Sequence, residues 1–177
     1  AAAGSGRVAR APSAPSGDCV RVLPPLASAA PVTIESLLLA ATRIHTAQGE
    51  QGLTNGSGFF FEREGRLFLV TSRHVLVDEP SDHHPDRIEI ELHADPENVA
   101  ETVGFSIPLF QDGTAVWRQA ADQTGEIDVA AVAIDRSALP PDVSYAAFTP
   151  DHLLAELGAV EVGTPLLVVG FPLGFQD

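Results

Sequence analysis

The sequence predicts an all-β protein, on three observations. Residues 87–93 alternate strictly, with Ile88, Ile90 and Leu92 on one face and Glu89 and Glu91 on the other, the period-two pattern of a half-buried antiparallel strand. Two apolar runs, Gly58–Phe61 and Leu67–Thr71, flank the polar segment Glu62–Arg66 with its late Gly65, which reads as a hairpin with a short loop. None of the strand-like runs from Gly56 onward keeps helical spacing. Many short strands with turns between them indicate a sandwich or a barrel, and no internal repeat points to a solenoid or propeller.

The elements follow in chain order. Residues 1–32 are rich in Ala, Pro, Ser and Gly and hold too little large apolar surface to offset the entropy of ordering, so they are expected to form a flexible lead-in. Val20 to Ala30 has the flanks of a short export signal, but Pro24 and Pro25 interrupt its apolar part. Residues 33–47 fit two periods: Ile34, Leu37, Leu38, Ala41 and Ile44 suit a helix face, while Ala41–Thr46 alternates as a strand. A helical turn followed by a strand satisfies both. After the hairpin come strands at 87–93, Gly104–Phe110, Asp128–Ile134 and Thr164–Gly170. Asp151–Leu157 reads as a short helix, with Asp151 at its start, Leu153, Leu154 and Leu157 on one side and Gly158 after it.

Composition narrows the function classes. The 177 residues carry 24 acidic against 10 basic side chains, a net charge of −14, and every basic residue is Arg. Three of those arginines stand in residues 1–32 beside Asp18 alone, so the acidic excess belongs to the remainder. A body of that charge, with no basic cluster, repels phosphate backbones and anionic lipid, which argues against nucleic acid and membrane surfaces as partners. No apolar run approaches the ~18–20 residues of a bilayer crossing. Cys19 is the single cysteine and cannot pair within the chain, which fits a soluble protein of either the cytoplasm or the periplasm. The sequence has no Met, so residue 1 is expected not to be a natural start.

Three stretches hold the residues able to do chemistry: Gly56-Ser57-Gly58-Phe59 followed by Thr71-Ser72-Arg73-His74-Val75; then Asp128-Val129-Ala130-Ala131-Val132; then Gly163 to Gly174, containing Gly170-Phe171-Pro172-Leu173-Gly174. His74 follows a strongly apolar strand at a turn, where an imidazole stays accessible and can act as a general base near neutral pH. Asp128 is the single acid of an otherwise apolar strand, so its carboxylate should be partly buried and in need of a partner. A hydrogen bond from Nδ1–H of His74 would satisfy it, fix the tautomer and stabilise the imidazolium. Taken singly, each has an ordinary alternative: a strand-end histidine, and an aspartate in a turn.

The order of these landmarks resembles that of trypsin-like (chymotrypsin-fold) serine peptidases, most nearly the bacterial cysteine-poor trypsin-like peptidase domains, over residues 41–177. The resemblance implies a chymotrypsin-like double β-barrel: a complete six-stranded N-terminal barrel over 33–140, a linker with a short helix over 141–160, and the start of a truncated C-terminal barrel over 161–177. It implies His74 as general base and Asp128 as orienting acid of a serine endopeptidase acting on protein or peptide substrates, with no cofactor and no metal. Gly56 and Gly58 match the glycines that let a first-barrel strand pack closely, and Ser57 is then structural. Arg73 stands where many members have a small residue, and would crowd the cleft or lend charge to substrate binding. The attacking Ser of the family lies in a Gly-x-Ser-Gly stretch after the third landmark, hence beyond Asp177, together with the oxyanion hole. Length agrees, since a two-barrel peptidase needs ~200–250 residues in one domain. The chain by itself is therefore expected to be inactive, and its acidic surface points to basic peptides. The alternative, from another class, is a non-catalytic module that keeps the peptidase fold as a binding or scaffold domain.

Other nucleophiles and a metal site fare less well. Ser57 lacks the strand before and helix after it that a nucleophile elbow requires. Cys19 lies in the lead-in, away from any shaped electropositive setting. Asp82-His83-His84-Pro85-Asp86, with His93 nearby, has metal-binding residue types, but adjacent side chains on an extended chain point apart, and a polar loop is the simpler reading.

Overall fold

The computed structural model describes residues 34–95, 98, 100–156, 158 and 160–171. The lead-in over 1–32, Cys19 within it, and the Pro172–Gly174 end of the third landmark lie outside the described residues. A helix α1 (Ile34–Ala40) runs directly into strand β1 (Ala41–Gln48), so both periods read in residues 33–47 are present, one after the other. Then come β2 (Gln51–Arg63), β3 (Arg66–Thr71), a single helical turn α2 (Arg73–Leu76), β4 (Arg87–His93), β5 (Thr102–Pro108), β6 (Phe110–Gln111), β7 (Thr114–Ala115), β8 (Trp117–Asp122) and β9 (Gly125–Ile134).

Seven strands form one antiparallel sheet in the order β5-β4-β1-β2-β3-β9-β8, and β6 pairs with β7 apart from it. Tight turns set the registers. Glu64 and Gly65 both take positive φ (53° and 73°), the geometry of a two-residue hairpin whose twist matches its strands. Asp112 and Gly113 do the same between β6 and β7 (51° and 75°). Between β1 and β2 the ladder slips at Thr46, whose buried hydroxyl accepts from the Thr54 N–H at 3.0 Å and donates to the Thr54 carbonyl at 3.1 Å. The bulge thus leaves no buried polar group unpaired.

The core forms on one face of this sheet. Ile44, Leu69, Ile88, Ile90 and Leu109 have no solvent exposure, and Leu92 and Val132 have 1%. Full burial of each contributes roughly 1.5–3 kcal/mol. Val103, Phe105 and Ile107 of one edge strand and Trp117 of the other pack on this same cluster, so the sheet curls around its core. It does not close. Among the described residues no ladder joins β5 to β8, and the closed six-stranded barrel expected from the sequence is instead an open seven-stranded sheet. The reason lies in the chain between the two edges. Leu109 donates to Asp86 and accepts from Val116, diverting the backbone into the β6–β7 hairpin, whose Phe110 meets Trp117 edge-on at 5.4 Å across the gap.

The later expectations also need correction. Of the helix expected over Asp151–Leu157, the described residues 151–156 show only one 3-10 turn, Pro150–His152, capped by Thr149 rather than Asp151, with the Thr149 N–H donating to Nδ1 of His152 at 3.0 Å; Leu157 lies outside the described residues. Leu153 and Leu154 are exposed, so no apolar face is buried to extend the turn, and a turn this short does not persist on its own. Thr164–Gly170 forms no strand. Its Leu166, Leu167 and Val168 are exposed, and a run with no neighbour beside it has no ladder to join. Residues 143–149 are stitched to the sheet through Ser144 to His93 and Phe148 to Phe60, and to α1 through Ala146 to Leu39. No helix among the described residues is long and apolar enough to cross a membrane.

Candidate active site

The pair expected from the sequence meets at one end of the sheet. After β3, Ser72 stays extended and the chain makes the α2 turn. Val75 and Leu76 are buried, at 7% and 1% exposure, and pin the turn over the end of the core, leaving His74 exposed. The glycines of the first landmark make this close approach possible. A Cβ at Gly56 would lie 2.9 and 3.0 Å from the two Val75 methyls. One at Gly58 would lie 2.8 Å from both Ile44 Cδ1 and Leu69 Cδ1. Ser57 between them is structural here: its hydroxyl accepts from the Phe171 N–H at 2.7 Å and donates to the Phe171 carbonyl at 3.3 Å.

Asp128 arrives from β9. Ala130, Val132 and Ile134 of that strand face the core, and Asp128 lies two residues before Ala130, past the end of the β3 ladder. Against β8 the register slips, since Ala130 pairs with Gln119 while Glu126 pairs with Ala121. Asp128 sits inside that bulge, a device that re-aims a side chain at a strand end.

The two side chains face one another. Nδ1 of His74 is 2.7 Å from Oδ2 of Asp128, and the His74 backbone N–H donates to Oδ1 at 3.0 Å. Both carboxylate oxygens are therefore engaged by one residue. The backbone N–H of His74 is the main cause holding the Asp128 carboxyl below its ordinary range; the His74 ring, its charge and the Arg73 N–H add to this, while slight burial opposes it. An ionised Asp128 accepts from Nδ1, which fixes the proton there and leaves Nε2 as the basic nitrogen. Asp128 is more open than the sequence suggested, at 56% side-chain exposure against 60% for His74. Only the β9 residues from Ala130 onward enter the core, which is why the partial burial expected of Asp128 is not found.

A second histidine–carboxylate pair shows what distinguishes the first. Nε2 of His45 lies 3.0 Å from Glu91 and Nδ1 lies 2.7 Å from Asn55, so both ring nitrogens are occupied across β4, β1 and β2. That ring is a cross-strand tie with no nitrogen left for proton transfer. Among the described residues Nε2 of His74 makes no hydrogen bond, and it has solvent before it.

Two clefts flank the pair. One of about 260 Å³ lies beside Asp128, bordered by Ser57, Thr71, Ser72 and Val169, and another of about 420 Å³ lies beside His74, bordered by Gln51, Leu53, Asp78 and His83. A more apolar hollow of about 430 Å³ between Phe59, Phe148 and Leu153 holds no such proton-transfer pair. His83 of the second cleft donates from Nε2–H to the Val75 carbonyl at 3.0 Å. His84 turns to Asp82 at 3.6 Å. Among the described residues no group of three His, Cys, Asp or Glu side chains could hold a metal ion.

Arg73 departs from its expected place. It neither crowds the cleft nor presents a charge to it. Its side chain is 19% exposed and turns toward Glu79, Gln119 and Glu126. The hydrogen bond that Arg73 donates to Glu79 is the main cause raising its pKa further above the ordinary guanidinium value. No protein-family model matches this chain, and no curated protein or solved structure does.

Proposed function

We propose that these residues supply the general base and orienting acid of a trypsin-like serine endopeptidase, and that the open, curled sheet corresponds to the N-terminal half of a chymotrypsin-like fold. The observation that carries this reading is the double contact between Asp128 and His74, 2.7 Å at the ring and 3.0 Å at the backbone, with Nε2 left free. In the reaction a serine hydroxyl attacks the scissile carbonyl while Nε2 takes its proton. Asp128 holds the ring and stabilises the imidazolium, which then gives the proton to the departing amine. Water hydrolyses the acyl-enzyme by the same route. Among the described residues no serine hydroxyl bonds Nε2: Ser57 is committed to Phe171 and Ser81 to Asp78. By the family resemblance, the attacking serine is proposed to lie beyond Asp177, and protein or peptide segments, not a cofactor, are the proposed partners.

The same lack of a serine at Nε2 favours a second reading, a non-catalytic peptidase-fold module. A fluorophosphonate probe separates the two. The 177-residue chain stays unlabelled, whereas the full-length gene product labels at one serine, with labelling abolished by His74→Ala and turnover reduced about 10⁴-fold by Asp128→Asn. A full-length product that never labels supports the module, and labelling that survives His74→Ala refutes the assigned base.

A further inference from the structure

We propose that Arg73, which stands immediately before His74, is a positioning residue: it fixes the α2 turn against the β8–β9 hairpin at the spacing the His74–Asp128 hydrogen bond requires. This rests on the reading of His74 and Asp128 as base and acid.

The geometry is a three-way brace. Nη2 of Arg73 donates to both carboxylate oxygens of Glu79, at 2.9 and 3.0 Å, and so ties α2 to the 3-10 turn Glu79–Ser81 that follows it. Nε of Arg73 donates to Oε1 of Gln119 on β8 at 3.2 Å and lies 3.7 Å from Glu126 on β9. Glu126 precedes Asp128 by two residues on the bulged strand. Consecutive residues of α2 thus grip the same stretch of β9, Arg73 at Glu126 and His74 at Asp128. The planar fork of the guanidinium reaches both directions at once, which a single ammonium donor on a flexible stem does not.

Two carboxylates, Glu79 and Glu126, stand against the guanidinium, so the brace is also paired in charge. The exposure of His74 and Asp128 makes the brace matter more, because no packing of their own side chains holds them.

The test reads the tautomer of His74 by ¹⁵N long-range correlation NMR on the 177-residue chain above the ring's titration. In the wild type, the proton resides on Nδ1 and the Nε2 signal is that of an unprotonated nitrogen. Arg73→Gln is expected to lose this preference, giving the mixed tautomer signal of a free imidazole. Arg73→Lys, which can still reach Glu79 but not Gln119 as well, restores it in part. The exposed Glu79→Gln leaves Arg73 in place and weakens one arm; it gives a smaller loss in the same direction, and serves if Arg73→Gln does not fold. Arg136→Gln removes the Arg136–Glu62 pair elsewhere on the sheet and is expected to leave the His74 signal unchanged. A folded Arg73→Gln with the wild-type tautomer overturns the role of Arg73 alone. A wild type without the Nδ1–H tautomer overturns the base-and-acid reading beneath it.

Discussion

Replacing Gly56 by alanine tests how the sheet sets the position of the imidazole. The new methyl would sit 2.9 and 3.0 Å from the two Val75 methyls, against an optimum carbon separation of about 3.5–4.0 Å, so the two must part by roughly 0.5–1 Å. Val75 is 7% exposed and β-branched, which leaves little rotamer freedom to absorb the change. The α2 turn is the element able to yield, and moving it outward carries His74 with it. A shift of that size stretches the 2.7 Å contact to Asp128 to about 3.2–3.7 Å, at the limit of a hydrogen bond or past it. Overpacking costs about 1–3 kcal/mol, and the lower unfolded-state entropy of alanine returns about 0.4–1 kcal/mol, leaving a net loss of about 0–2.6 kcal/mol, centred near 1.3 kcal/mol. Thermal unfolding should fall by roughly 3–10 °C. Gly104→Ala, whose Cβ meets nothing within 4 Å, is the matched control. The assay is differential scanning calorimetry together with the Nδ1–H resonance of His74. Adding Val75→Ala should recover the resonance. A Gly56→Ala chain with wild-type melting and an unchanged His74 signal would refute the packing argument.

Two further outcomes follow from the described contacts. Asp128 is held below the ordinary carboxyl value of 3.8, so its contribution to stability is fully present above that pH and is lost as pH falls through its lower folded value. Carboxyl ¹³C NMR should give a midpoint under 3.8 for Asp128, and His74→Ala should raise it while leaving the backbone N–H contribution; a midpoint at or above 3.8 in the wild type is the contrary result. Ser57→Ala removes both partners of the Phe171 backbone, whereas Ser57→Thr keeps them. Hydrogen exchange at the Phe171 amide should quicken with alanine only, and equal rates in both variants would show that the hydroxyl holds nothing.

How far the sequence carried depends on the element. β4 is legible to the residue because one face is wholly buried and the other carries Glu89 and Glu91. The pairing of β2 with β3 is legible because both runs are apolar and the loop between them is short. The first part of β2, Gln51–Asn55, and the edge strand β8 are not, since both are largely exposed on two faces and carry no alternation. The β6–β7 hairpin had a signal, the Asp112-Gly113 pair, that a search for apolar runs passes over. At the site, the meeting of His74 and Asp128 follows from the order of the landmarks. The exposure of Asp128 does not, because it depends on a register slip between β8 and β9 that neither strand encodes alone. Arg73 was misjudged for the same reason: two of its partners, Gln119 and Glu126, are distant in sequence and come beside it only through the sheet.

The gap between the two edge strands leaves β8 as an open margin of the sheet. Asp128 rides on the strand next to one margin, and β8 outside it is backed on a single side. An opening of that margin would carry Asp128 while β1, β2 and β3 keep a partner on each side, just as a shift of the α2 turn would carry His74. Under the proposed function, a partner that seals the margin would act on proton transfer through the carboxylate, without touching the imidazole.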